Sequence, residues 1–275
     1  MNFWRKVGKV TILLILLQNV VAGMEEKNVV CAVYFTGIGC PHCAKTDPIV
    51  LGSLPLTYNN SLVIIEYEIY QQPENAKIMA EYNSRYSSGL GIPQLIFDEE
   101  ECILGDLPIL ENIKKCVEKR LKSGNPCPLL TGSVPFFNLN FNQLPGKPKI
   151  WIGNKVVVRK EEKAVSSSIL RKILLSDRVD AKSIPGATVV TPEAIPLSGS
   201  SVEFNRAIKL NGWMIEWRDK ESKTGGEVRK SEAPSTKTKI STHSSPTTQW
   251  KSVLILVVVV TLVLLVTSRK GKNRR

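Results

Sequence analysis

Apolar and polar positions alternate in short blocks between residues 28 and 124, and the blocks switch between strand-like and helix-like periods. Blocks rich in β-branched and aromatic residues predict four strands, at 29–35, 61–70, 94–97 and 102–104. Segments with helical spacing predict three helices, at 44–54, 73–86 and 107–122. The predicted order is β-α-β-α-β-β-α, which indicates an α/β fold with a central mixed sheet flanked by helices.

The two ends of the chain have the patterns of export and membrane anchoring. Residues 1–23 combine basic side chains, an apolar run and small residues, which predicts a secretory signal peptide, with an uncleaved signal anchor as the alternative. Residues 218–249 are poor in large apolar side chains and predict a flexible stalk. Residues 250–268 predict one transmembrane helix in the lipid bilayer, and the basic tail 269–275 predicts a cytoplasmic C-terminus. We therefore expect a single-pass protein of the cell membrane whose folded part is extracytoplasmic.

The formal charge of +12 is unevenly distributed along the chain. Residues 25–124 contain fourteen acidic and nine basic residues, a net charge of −5, so the remaining residues together have +17. Nucleic-acid binding needs basic residues interleaved with aromatic ones on a folded surface. Most of the basic residues lie instead in the termini and the C-terminal half, so the sequence argues against a nucleic-acid partner.

Two cysteines in the segment 39–43 stand where the first predicted strand gives way to a helix. Pro41 then lies in the first helical turn. N–H groups of that turn have no carbonyl partner within the helix, so proline, which has no N–H, breaks no hydrogen bond there. The free N–H groups and the dipole of a helix N-terminus favour an anion, so we expect Cys40 to ionise below the ~8.5 of a free thiol. A protonated His42 would add positive charge, and Cys43 lies one helical turn further on. This spacing predicts reversible disulfide exchange between the two cysteines.

A zinc half-site and a purely structural disulfide are the alternatives for this cysteine pair. Tetrahedral zinc needs four ligands, whereas the chain has only two histidines, His42 and His243, and no second Cys-x2-Cys. A bridge over two intervening residues is strained, which suits a redox pair better than a structural bridge. The sequence therefore favours a redox site that uses neither metal nor cofactor.

The first strand followed by Cys-x2-Cys, with Ile92–Pro93 before a later apolar strand, resembles the thioredoxin superfamily over about a third of the chain. The resemblance implies that Pro93 forms a cis peptide facing the cysteine pair and holds the Ile92 backbone beside it to pair with a substrate strand. The Pro41–His42 dipeptide is similar to that of DsbA-type disulfide oxidants. The helical domain inserted in DsbA proteins has no room before Pro93, so their substrate groove and membrane partner are not implied.

Residues 130–217 predict a second, smaller α+β domain. The run 149–158, with Gly-Asn at its centre, predicts a hairpin, Ser168 to Ser176 a helix, and 202–217 one or two strands. The order proline, strand, turn, strand, helix would also fit a partial thioredoxin-like repeat with Pro148 in the place of the cis-proline. A β-rich spacer that positions or shields the redox site is the preferred interpretation.

Four further cysteines lie in or beside the first domain. One plausible pairing joins Cys116 to Cys127 and pins the end of a helix, with Cys31 left as a buried thiol. A second redox pair that relays electrons from the motif is another interpretation, and connectivity does not follow from sequence.

These patterns lead to one preferred function, a membrane-tethered thiol–disulfide oxidoreductase that oxidises or isomerises exported proteins. Cys40 is expected to form the mixed disulfide and Cys43 to resolve it, while His42 with Pro41 tunes the thiolate. The Ile92–Pro93 peptide is the expected substrate-binding element. Its partners would be exported cysteine-containing proteins and a membrane redox partner. The alternative is a thioredoxin-like binding or assembly module without obligatory redox turnover.

Overall fold

The computed structural model describes residues 28–219, which form a mixed α/β unit. In chain order the strands are β1 (Val30–Thr36), β2 (Leu62–Glu68), β3 (Gln94–Ile96), β4 (Cys102–Leu104), β5 (Cys127–Leu129), β6 (Gly132–Val134), β7 (Lys149–Ile152), β8 (Lys155–Arg159), β9 (Thr188–Val190), β10 (Ile195–Leu197), β11 (Ser200–Val202), β12 (Arg206–Leu210) and β13 (Trp213–Trp217). The α-helices are α1 (Cys43–Asp47), α2 (Leu54–Tyr58), α3 (Glu74–Tyr86), α4 (Asp106–Leu121) and α5 (Ser167–Leu175). A π-helical turn, Pro48–Ser53, joins α1 to α2, and the 3-10 turns are Asn59–Ser61, Phe136–Asn138, Phe141–Gln143 and Ala181–Ser183.

The predicted order of elements over residues 28–124 is confirmed, as are the hairpin at 149–158 and the helix that follows it. The predicted signal peptide at 1–23, the transmembrane helix at 250–268, the tail at 269–275 and nearly all of the predicted stalk lie outside the described residues. Within residues 28–219, no helix has both the length and the hydropathy that a membrane crossing requires.

One nine-stranded sheet runs through the described residues in the order β4-β3-β1-β2-β7-β8-β13-β12-β9. Strands β1 and β2 are parallel, and every other neighbouring pair in this sheet is antiparallel. Strands β10 and β11 form a separate two-stranded hairpin, and so do β5 and β6. The strands predicted for the second domain therefore continue the sheet of the first through the β2–β7 pairing.

A buried carboxylate bridges the β2–β7 junction. Glu66 of β2 is almost fully buried, and its Oε1 accepts a hydrogen bond from Lys149 Nζ at 2.7 Å. Its Oε2 accepts from Trp151 Nε1 at 2.5 Å. A buried charge is tolerated when it is paired and hydrogen-bonded, and both β7 partners meet that requirement here.

The sheet divides the hydrophobic core into two clusters because side chains alternate along each strand. Val33 and Phe35 of β1 face one cluster, which α3 and α5 cover. Tyr34 and its neighbours face the other, which the helical segment from Val50 to Leu54 and helix α4 cover. The hairpin formed by β10 and β11 also packs on this second face, through Ile195, Leu197 and Val202.

A disulfide joins Cys31 to Cys127, so the predicted Cys116–Cys127 bridge and the predicted free thiol at Cys31 are wrong. The chain returns beside β1 after α4, where the Cys31 amide donates to the Asn125 carbonyl at 3.0 Å. This return brings Cys127 to the face of the sheet that Cys31 occupies.

The two other cysteines outside the motif do not form a pair. Cys116 belongs to the core on the opposite face from Cys31, and its thiol donates to Glu101 Oε1 at 2.9 Å. Cys102 packs on the Cys31 face and donates to backbone carbonyls. The sheet therefore separates the two thiols.

Candidate active site

The cysteine motif forms the turn that connects β1 to α1. The Cys40 amide donates to the Gly37 carbonyl at 3.0 Å, and the Cys40 carbonyl accepts from the Ala44 amide at 3.0 Å. Cys43 is the first residue of α1, and its amide donates to Cys40 Sγ at 3.3 Å. The two sulfur atoms therefore belong to one helical turn, with a backbone donor aimed at the first of them.

Both cysteines are free thiols, and they differ in exposure. Cys40 is 5% exposed, whereas Cys43 is completely buried, so only the first offers surface to a partner. Burial raises the pKa of the Cys43 thiol to about 12; its hydrogen bond with Cys40 raises it as well, while Thr36 and the Gly37 backbone oppose the shift. Cys43 is thus held as a neutral thiol behind Cys40.

The loop before β3 lies against the motif loop and contains a cis peptide between Ile92 and Pro93. The expected cis-proline at Pro93 is therefore confirmed, and it is the only cis peptide within residues 28–219, so Pro148 does not share this geometry. A Cβ placed on Gly37 would lie 2.7 Å from Ile92 Cδ1, which shows how closely the two loops approach. The Pro93 carbonyl accepts from the Gly105 amide at 2.9 Å, which ties this loop to the start of α4.

His42 and Pro41 are exposed on the outer side of the turn. His42 Nδ1 lies 3.2 Å from Asp106 Oδ1, and Lys45 Nζ lies 2.6 Å from Asp106 Oδ2. The hydrogen bond from Lys45, and then that from His42, hold the pKa of Asp106 down at about 2. A carboxylate therefore partners the imidazole and links the motif to the first turn of α4.

A buried polar cluster lies behind the motif. Asp47 of α1 is fully buried, and its Oδ1 accepts from the Tyr34 hydroxyl at 2.8 Å and from Thr36 Oγ1 at 2.7 Å. Its Oδ2 accepts from the Ser198 amide at 2.9 Å. Burial raises the pKa of Asp47 to about 6 in spite of these donors. Burial and the nearby Asp47 also raise the pKa of Tyr34 well above its ordinary value.

Four exposed apolar side chains lie on segments that adjoin the motif turn or the cis-proline loop, and together they are called the apolar collar: Tyr70, Leu90, Leu104 and Leu107. The Tyr70 ring lies 2.9 Å from the position of a Cβ on Gly37. Leu104 lies beside Gly89 and Gly91, the two neighbours of Leu90 in the chain. Leu107 comes directly after Asp106, the partner of His42. Exposed apolar side chains gathered in one place are typical of a binding surface.

The structure brings the sequence-predicted residues together. One turn contains Cys40, Pro41, His42 and Cys43. Ile92 lies against Gly37, the first residue after β1. Sequence reasoning missed Asp47, Asp106 and Ser198. A carboxylate four residues after Cys43, on the apolar side of a helix, was a signal for the first of these. Nothing in the local sequence marks Ser198.

Within residues 28–219, no group of three or more His, Cys, Asp or Glu side chains is arranged to hold a metal ion. Comparison of the chain with protein-family models, with curated proteins and with solved structures finds no match.

Proposed function

We propose that the protein is a membrane-tethered, extracytoplasmic thiol–disulfide oxidoreductase whose residues 28–124 form a thioredoxin-like unit. One observation carries the proposal: the Cys43 amide donates to Cys40 Sγ within a single turn. This contact holds the two cysteines in the close arrangement that exchange between their sulfur atoms requires. The cis Ile92–Pro93 peptide beside the same turn supports a thiol-exchange site.

The proposed reaction is exchange between the Cys40–Cys43 couple and a substrate cysteine pair. A substrate thiolate attacks Cys40 Sγ of the oxidised couple, the Cys40–Cys43 bond breaks, and Cys43 leaves as a thiolate that takes up a proton. A second substrate thiolate then attacks the substrate sulfur of the mixed disulfide and releases the Cys40 thiolate. The substrate loses two electrons, and the couple gains them. Of the two thiol protons that the substrate gives up, one is taken up by Cys43 and the other goes to solvent, because Cys40 is released as a thiolate. The reverse sequence reduces a substrate disulfide.

The difference in burial between the two cysteines supports these separate roles. Cys40 keeps a small exposed surface and Cys43 has none, so Cys40 is the proposed point of contact with a protein substrate. Burial raises the pKa of Cys43 to about 12, so it accepts a proton readily once it leaves. His42, whose Nδ1 lies 3.2 Å from Asp106 Oδ1, is exposed in the same turn, where an approaching substrate would meet it.

The substrate class is an exported protein with cysteines in unfolded or partly folded segments. The apolar collar supports this choice because unfolded chains expose the apolar side chains that folded proteins bury. The predicted signal peptide and transmembrane segment would keep the site in a compartment where disulfides persist. The Cys31–Cys127 disulfide is consistent with such a compartment.

The test is refolding of reduced, unfolded ribonuclease by the full-length chain in mild detergent, with oxidised glutathione as the terminal oxidant. The wild-type chain is expected to accelerate recovery of ribonuclease activity, and Cys40→Ser to abolish the acceleration. Cys102→Ser is the matched control, because it removes a free thiol outside the motif and is expected to leave the rate unchanged.

Full activity of the Cys40→Ser variant would refute the redox assignment. Binding of an unfolded cysteine-free peptide would then be measured for the wild-type chain before and after alkylation of Cys40. Equal binding in both cases, together with that refolding result, would favour the binding-module alternative over the enzyme.

A further inference from the structure

The β10–β11 hairpin lies directly against the motif helix, although it follows the motif by more than 150 residues. Its strands bury Ile195, Leu197 and Val202 in the core on that face. The hairpin does not belong to the nine-stranded sheet. These packing contacts, and not pairing with that sheet, therefore determine where its turn lies. The turn residues Ser198 and Gly199 end up over the start of α1.

Ser198 makes two hydrogen bonds to the redox turn. Its Oγ donates to the Cys40 carbonyl at 2.7 Å, and its backbone amide donates to Asp47 Oδ2 at 2.9 Å. The residue is 1% exposed, so both bonds are shielded from water. A buried hydrogen bond is stronger electrostatically than one in water, which makes these contacts effective positioning elements.

The close approach of the hairpin turn depends on glycine. Gly199 has φ +74°, a conformation that L residues rarely adopt, and a Cβ there would lie 3.0 Å from Ala44 Cβ. The turn therefore sits on the backbone of the motif helix with no room for a side chain between them.

We infer that Ser198 is a positioning residue for the Cys40–Cys43 couple, and this inference rests on the proposed function. Its hydroxyl holds the Cys40 carbonyl, and with it the turn that aims the Cys43 amide at Cys40 Sγ. Closing a disulfide draws the two sulfurs to about 2.05 Å and changes this turn. Ser198 therefore stabilises the dithiol form relative to the disulfide and makes the couple more oxidising.

The hydroxyl can be removed without removing the hairpin. Ser198→Ala keeps the backbone amide that donates to Asp47, and the three buried apolar side chains still anchor the strands. The Cys40 carbonyl also keeps its bond from the Ala44 amide, so no buried acceptor is left unpaired. Ser198→Gly provides a second hydroxyl-free variant with the same backbone donor.

The experiment measures the equilibrium of the full-length chain in mild detergent with mixtures of reduced and oxidised glutathione. Mass spectrometry after acid quenching and alkylation gives the fraction with a Cys40–Cys43 disulfide. Ser198→Ala is expected to shift the equilibrium constant about tenfold toward the disulfide, which is about 30 mV for a two-electron couple. Ser200→Ala, an exposed position in the same hairpin, is expected to leave it unchanged.

Urea unfolding of both redox forms tests whether the role is more than structural. The substitution is expected to destabilise the dithiol form more than the disulfide form, because the two equilibria form one thermodynamic cycle. Equal destabilisation of both forms with an unchanged glutathione equilibrium would overturn the inference while leaving the proposed function intact. A wild-type chain that forms no Cys40–Cys43 disulfide in any glutathione mixture would overturn both.

Discussion

Ionisation of the buried Asp47 is expected to destabilise the fold, with a pH dependence opposite to that of most carboxylates. Asp47 is completely buried, and burial raises its pKa from the ordinary 3.8 to about 6. At roughly 1.4 kcal/mol per pH unit, this difference corresponds to about 3 kcal/mol. The donors Tyr34, Thr36 and Ser198 oppose the shift, and the nearby Glu66 adds to it.

The sign follows from which state binds the proton more tightly. Below about pH 4, Asp47 is protonated in both the folded and the unfolded chain and has no effect on stability. As the pH rises from about 4 to about 6, the unfolded chain ionises first, so the free energy of unfolding falls. Above about pH 6 the whole of the roughly 3 kcal/mol is lost.

The test compares the wild-type chain with Asp47→Asn by urea unfolding between pH 4 and pH 7.5, followed by tryptophan fluorescence. The amide oxygen can still accept from Tyr34 and Thr36, whereas the amide nitrogen faces the Ser198 N–H, and this mismatch has a cost that does not depend on pH. The difference in free energy of unfolding between the two chains should therefore change by about 3 kcal/mol across the range, in favour of the variant at high pH.

A matched variant examines the cause of the shift. Thr36→Val removes a hydroxyl that donates to Asp47, so the transition should move to higher pH. Parallel stability curves for the wild-type chain and Asp47→Asn would refute the reasoning, because they would show that the Asp47 pKa is the same in the folded and unfolded chains.

Two further predictions concern the disulfide and the motif loop. Replacing both Cys31 and Cys127 by alanine opens a loop of 96 residues, so urea unfolding should show a loss of about 2–5 kcal/mol, and unchanged stability would contradict a stabilising bridge. Gly37→Ala would push a methyl group to 2.7 Å from Ile92 Cδ1 and 2.9 Å from Tyr70 Cγ, so ribonuclease refolding should slow about tenfold, or roughly 1.4 kcal/mol in the barrier. Gly52→Ala, whose Cβ would meet no atom within 4 Å, should leave that rate unchanged, and equal rates for the two variants would contradict the proposed loop contact.

The local parts of the site could be predicted from sequence because they depend on neighbouring residues. The apolar block before Cys40 predicts a strand, and the helical spacing after Cys43 predicts a helix, so the turn follows from residues a few positions apart. The helix begins at Cys43, so Pro41 precedes its first turn and does not lie within it. The hairpin at 149–158 follows in the same way from its Gly-Asn turn.

The long-range parts could not be predicted because they depend on where distant segments return. The partner of Cys31 was decided by the path of the chain after α4, which runs beside β1 and brings Cys127 with it. Ser198 reaches the Cys40 carbonyl only because a hairpin far along the chain packs on the motif helix. The continuation of the sheet from β2 into β7 likewise follows from a pairing that the linear pattern does not reveal.

The junction between β2 and β7 makes the thiol-exchange half inseparable from the residues that follow it. A fragment ending at Gly124 would leave the outer edge of β2 unpaired and ready to associate with another chain. The fragment would also lack Lys149 and Trp151, so the negative charge of Glu66 would remain buried without a partner. The smallest autonomous piece of this molecule therefore extends well beyond the segment in which its reactive sulfurs lie.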